Sequence, residues 1–161
     1  MPDRPSEMYR DAKPIVQEFD PGEWFYYRVQ AAHVQQDETV DAINIKPCPD
    51  TSSNRQRFSK PWYVLYPRSK YEGWAVFKFQ QERLCKTVSS DVIGATVYTV
   101  GTEHDPRDNN YAHCETRVFR GEDRFLGDMN RDAKNKLRLA LAKLLELEWP
   151  AGKPFPPAEI R

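Results

Sequence analysis

Tyr111-Ala112-His113-Cys114-Glu115-Thr116-Arg117-Val118-Phe119 alternates, residue by residue, between large, mostly hydrogen-bonding side chains and small or apolar ones. Successive side chains of an extended chain point to opposite faces. Tyr111, His113, Glu115, Arg117 and Phe119 therefore share one face of a strand, and Ala112, Cys114, Thr116 and Val118 the other. The pattern predicts a strand over 111–120 with a polar face and a core face. Upstream, Glu103-His104-Asp105-Pro106-Arg107-Asp108-Asn109-Asn110 is rich in turn-forming residues and reads as a loop over 101–110. It connects to a further strand over 95–100, expected to lie antiparallel.

Working outward, Asp20-Pro21-Gly22 is a turn signal. It precedes the aromatic and β-branched run 24–29, a strand with Phe25, Tyr27, Val29 and Ala31 on its more apolar face. Shorter strands are expected over 40–45, 62–66 and 74–79, the last two joined as a hairpin across 67–73. A helical turn is expected over 80–86, and 49–60 reads as a polar loop. Ala133, Leu137, Ala140, Leu141, Leu144 and Leu147 recur at helical spacing, predicting a long helix over 128–147. Asp128 or Asn130 would cap its start, and Pro150 would stop it. The expected fold is α+β: one globular domain over 15–149, a mainly antiparallel sheet of about six strands covered by the C-terminal helix. A flexible lead-in over 1–14 and a proline-rich tail over 150–161 flank it.

The chain has 161 residues, and its 24 basic and 24 acidic side chains cancel. Global charge thus offers no field to steer it toward nucleic acid or an anionic membrane. Cys48, Cys85 and Cys114 are widely spaced with no Cys-x-x-Cys pair, which argues against a disulfide framework and for a cytoplasmic location. No apolar run is long enough to span a bilayer. Neither a Gly-x-Gly-x-x-Gly loop nor a Walker A sequence occurs.

Two segments carry candidate chemistry. His113 and Glu115, two apart on one strand face, have Cβ atoms roughly 7 Å apart. With a loop ligand from His104, Asp105 or Asp108 they suit a divalent metal such as Zn, Mn or non-haem Fe. Without a metal, Glu115 orients His113 as a general base. The same pair also suits an ordinary cross-strand ionic network. The second segment, Asn54-Arg55-Gln56-Arg57-Phe58-Ser59-Lys60, concentrates donors fit for phosphate or carboxylate. Asn54, Arg55, Arg57 and Ser59, with Asn110 and Arg117 from the other segment, are the expected ligand-binding residues. His113, Glu115, His104 and Asp105 are the catalytic candidates, and His113 and Glu115 the metal ligands. Cys114, on the core face, reads as a packing residue.

The expected function is a small intracellular binding or accessory protein for an anionic ligand: a nucleotide, nucleic acid or acidic partner segment. The alternative is a metal-assisted hydrolase or nuclease centred on His113 and Glu115. Aromatic residues on both faces of several strands also allow a protein partner or a homodimer.

Overall fold

The computed structural model describes residues 4–46, 51–84, 86–89, 96–120, 123–124 and 129–157. Eight strands lie among them: β1 (Trp24–Val29), β2 (Thr51–Arg55), β3 (Ala75–Gln80), β4 (Thr87–Ser89), β5 (Val97–His104), β6 (His113–Arg120), β7 (Asp123–Arg124) and β8 (Glu146–Trp149). They form a single sheet in the order β4-β5-β6-β2-β1-β3-β8, with β7 paired to β6, and every pairing is antiparallel. Two helices accompany it, the short α1 (Arg68–Tyr71) and the long α2 (Arg131–Leu144). The α+β class is as expected, with more strands than the expected six. No helix among the described residues is long and apolar enough to cross a membrane.

The period-2 alternation of β1 and β3 fixes which face meets α2. Phe25, Tyr27 and Val29 from β1, with Ala75, Phe77 and Phe79 from β3, join Cys114 and Val118 of β6 in one cluster. Ala133, Leu137 and Leu141 of α2 close it. Asn130 starts the helix, its Oδ1 accepting from the Ala133 amide at 3.0 Å, which meets one of the unpaired first-turn donors. Asp128, the other expected cap, lies outside the described residues.

The opposite face is also covered. Tyr26 and Val76 pack there with Met8, the 3-10 helix Pro61–Leu65, Trp149 and Phe155. Residues expected as a lead-in and a tail thus supply buried side chains, Met8 at 2% and Phe155 at 3% exposure. The lead-in is also tied by its backbone: the Tyr111 amide donates to Met8 O at 2.7 Å, and Arg10 N to Asp108 O at 2.9 Å.

Several expected elements take a different form. The polar run read as a loop contains β2, which sits mid-sheet between β6 and β1. Residues 62–66 are not a hairpin strand but lie mostly in the 3-10 helix Pro61–Leu65, followed by α1. Bulky aromatics there fold over the sheet rather than join it. The expected strand over 40–45 is instead the 3-10 helix Ala42–Asn44, capped by the Asp41 carboxylate on Ile43 N. The strand expected over 95–100 extends to His104, since main-chain pairing with β6 continues through polar residues to His104↔Cys114. The helix stops at Leu144, and 146–149 turn extended to pair with β3.

Candidate active site and anion cleft

The β2–β6 register builds the site. Ser52 stands opposite Glu115 and Asn54 opposite His113, so these four share the face away from α2. Ser52 Oγ donates to Glu115 Oε1 at 2.8 Å, and Arg107 Nη2 approaches the same oxygen at 3.2 Å. Asn110 Nδ2 donates to Asn54 Oδ1 at 2.8 Å, and Asn54 Nδ2 to Ser59 Oγ at 3.2 Å. Asn54, His113 and Glu115 are all buried.

The His113 ring is oriented by the chain itself. Nδ1 lies 2.7 Å from the Asp105 main-chain carbonyl, an acceptor, so the proton sits on Nδ1 and donates to it. Nε2 then faces Glu115 Oε1 at 3.2 Å. Neither Nε2 nor Glu115 Oε2 has a hydrogen-bond partner among the described residues. Asp105 Oδ2 is 3.7 Å from Nδ1 and 3.3 Å from Arg117 Nη2. Ligand atoms of Asp105, His113 and Glu115 come within 4.8 Å of one another. Burial raises the Glu115 carboxyl, but the His113 ring, the Ser52 hydroxyl and the Arg117 charge outweigh it, holding Glu115 below the usual carboxylate range.

Beside this group lies a cleft of about 180 Å³ whose lining includes Arg4, Arg28, Arg107, Asn109, Asn110 and His113. Among the described residues no carboxylate lines it. Arg28 stacks on the Tyr71 ring, 3.8 Å from its centroid. It donates to Val64 O at 3.0 Å and to the Tyr71 hydroxyl at 3.1 Å. Burial lowers the Arg28 pKa, and the nearby Arg107 and Arg4 charges push the same way, against the Tyr71 and Tyr27 hydroxyls.

The remaining expected residues divide between the two faces. Arg55 points toward the α2 side, fully buried, and pairs with Glu23 rather than opening to a ligand. His104 is also on that face, with both ring nitrogens engaged: Nδ1 accepts from Val16 N at 3.0 Å and Nε2 lies 2.6 Å from Tyr111 O. Burial outweighs the Tyr111 contact and pushes its pKa down, keeping the ring neutral in a structural clamp. Arg57 is exposed, its guanidinium 5.3 Å from the Phe58 ring, and lines a separate hollow with Lys13 and Lys60. Ser59 lines that hollow too. Arg117 lies on the polar face, tied to Asp105 and Glu103. The site thus unites His113, Glu115, Asp105, Asn54 and Asn110, and leaves out Arg55, His104 and Arg57.

Sequence reading missed Arg4 and Arg28 and did not single out Arg107. Arg28 did carry a signal: a lone cation inside an aromatic strand, on the face opposite Phe25, Tyr27 and Val29. Arg4 carried none, because its place depends on how the N-terminal segment docks.

Cys114 is a buried free thiol pushed up to about 12 by burial. Thiolate is the reactive form, so Cys114 in the native chain is expected to resist iodoacetamide at neutral pH and react only on unfolding. Peptide mass spectrometry of the labelled chain checks this; rapid native labelling at Cys114 would contradict it. Cys48 and Cys85 lie outside the described residues. Comparison with protein-family models, with curated proteins and with solved structures finds no match to this chain.

Proposed function

We propose that this chain binds an anionic ligand, seating a phosphate or carboxylate group in the Arg4/Arg28/Arg107 cleft. The observation that carries the reading is that three arginines line one cleft to which no described residue contributes a carboxylate. Like charges held together cost free energy unless an anion joins them, and guanidinium forks match phosphate and carboxylate oxygens. Stacking and two hydrogen bonds hold Arg28 in place before a ligand arrives. Arg107 is 59% exposed, so its pair with Glu115 is weak and the side chain is free to turn to a ligand. Asn109, Asn110 and Ser52 add neutral donors around the cleft. A phosphate at the end of a nucleotide or nucleic acid strand, or an acidic partner segment, has the chemistry required.

The test is calorimetric titration with inorganic phosphate, nucleoside di- and triphosphates, a 5′-phosphorylated oligonucleotide and an acidic peptide. Binding is expected to weaken as salt rises. Arg4→Ala and Arg107→Ala are each expected to reduce affinity roughly tenfold or more, a charged hydrogen bond contributing about 1.5–3 kcal/mol. Affinity unchanged in the double variant would remove the reading.

A further inference from the structure

His113, which lines the cleft, stands beside Glu115 as a pair of possible metal donors. With its Nδ1 proton donated to the Asp105 carbonyl, His113 directs the Nε2 lone pair at Glu115 Oε1, 3.2 Å away. Two acceptors at that separation repel unless a proton on Nε2 or a metal cation lies between them; Arg107 Nη2, 3.2 Å from Oε1, relieves the carboxylate but offers nothing to Nε2. For tetrahedral coordination with bonds of 2.0–2.1 Å, the edge between two donors is about 3.3 Å. The observed spacing fits that edge.

The surroundings match those of a metal-ligating histidine. Such a ring ordinarily donates its second N–H to a carbonyl or carboxylate, which sets the tautomer. Asp105 O takes that role at 2.7 Å. A ligating carboxylate is in turn hydrogen-bonded, and Ser52 Oγ holds Glu115 Oε1 at 2.8 Å. A second, independent observation points the same way: Nε2 and Oε2 are buried and lack partners among the described residues, while His113 is 4% and Glu115 6% exposed. Buried polar atoms left unpaired are costly and rare. A proton on Nε2 would satisfy that nitrogen and still leave Oε2 bare, whereas a dication engages the whole carboxylate.

We propose that His113 Nε2 and the Glu115 carboxylate seat a divalent transition-metal ion, Zn²⁺ or Mn²⁺, with its remaining positions open toward the arginine cleft. Imidazole with carboxylate is a donor set for these ions rather than for Ca²⁺. Asp105 positions the ring through its main-chain carbonyl, while its carboxylate, on the Nδ1 side, pairs with Arg117. Because His113 also lines the cleft, an anion held there would complete the coordination sphere. The inference rests on donor geometry alone and stands whether or not the anion reading does.

The test uses chelator-treated full chain and the metal ion alone, in phosphate-free buffer. Native mass spectrometry is expected to show a single bound ion, with a rise in Tm of several degrees at about a hundredfold excess over Kd. Both are expected to disappear in His113→Ala and Glu115→Gln, the latter keeping side-chain size. Should His113→Ala not fold, the visible spectrum of the Co²⁺-loaded wild-type chain reads the donor set directly, and nitrogen-bound bands are expected. Absence of a bound ion with Zn²⁺, Mn²⁺ and Co²⁺, or binding unchanged in Glu115→Gln, overturns the proposal. So does an imidazolium ¹⁵N signature for His113 that persists at neutral pH with metal added.

Discussion

Glu23→Ala is expected to destabilise the folded chain by about 3–5 kcal/mol, the range seen when one partner of a buried ion pair is removed. Among the described residues Arg55 is the largest fully buried side chain, and four of its five guanidinium N–H donors are engaged. Nε and Nη2 reach the two Glu23 oxygens at 2.9 Å each, Nη1 reaches Val16 O at 2.7 Å, and Nη2 reaches Glu18 O at 2.8 Å. The Phe19 and Phe58 rings flank it, with centroids at 4.4 and 5.0 Å. Truncating Glu23 leaves a cation buried with only main-chain dipoles against it. It also removes the acceptor of the Asp20 amide, which donates to Glu23 Oε2 at 3.3 Å. Thermal unfolding should show Tm lower by roughly 6–20 °C for a chain of this size. A Glu23→Leu, Arg55→Met double variant is expected to lose less than Glu23→Ala, because no charge is then stranded. A loss under about 1 kcal/mol for Glu23→Ala would show that Arg55 finds water or another acid, and that the pair is not the clamp described.

The same arginine shows where sequence reading stops. Apolar alternation located β1, β3 and β6, and helical spacing located α2, because in each the core face is apolar and the period is visible. It also placed His113 and Glu115 together and turned Cys114 inward. β2 escaped because its core-facing residues Thr51, Ser53 and Arg55 are all polar: Thr51 Oγ1 donates to Lys46 O at 2.7 Å and Arg55 pairs with Glu23, while the Ser53 hydroxyl has no partner among the described residues. A strand whose buried face is polar leaves no hydrophobic period to detect. Arg55 and Arg57 looked equivalent in a polar run, yet one-residue alternation sends Arg55 into the core, and the chain leaves the strand before Arg57. The true basic cluster comes from three distant segments, and only the strand order brings Arg4, Arg28 and Arg107 together. The proposed metal pair needed the opposite kind of information. It was legible from a spacing of two, but the tautomer that aims Nε2 depends on a carbonyl eight residues upstream.

At the C-terminal end, Leu144 and Leu147 continue the helical period, yet Glu146–Trp149 is the strand β8. Tertiary pairing overrides local preference there, with Leu147 set opposite Phe77 and Trp149 opposite Val76. Lys78 Nζ adds an ion pair to Glu148 at 2.9 Å. Trp149 anchors this edge: it is 6% exposed, its ring lies 5.1 Å from that of Trp62, and Lys153 Nζ sits 4.0 Å from its centroid. Trp149→Ala is therefore expected to cost about 3 kcal/mol, toward the lower end for a buried Trp, because its Nε1 has no acceptor among the described residues and that penalty vanishes too. The loss should be local before it is global. A four-residue edge strand stripped of its anchor frays, exposing the amides of β3 to exchange. Hydrogen exchange should speed up at 75–80 while β5 and β6 keep their protection. Uniform acceleration across the sheet would mean that β8 unfolds only with the whole chain. Unchanged stability would mean that the Phe155–Tyr66 contact, with ring centroids 5.5 Å apart, holds this end without Trp149.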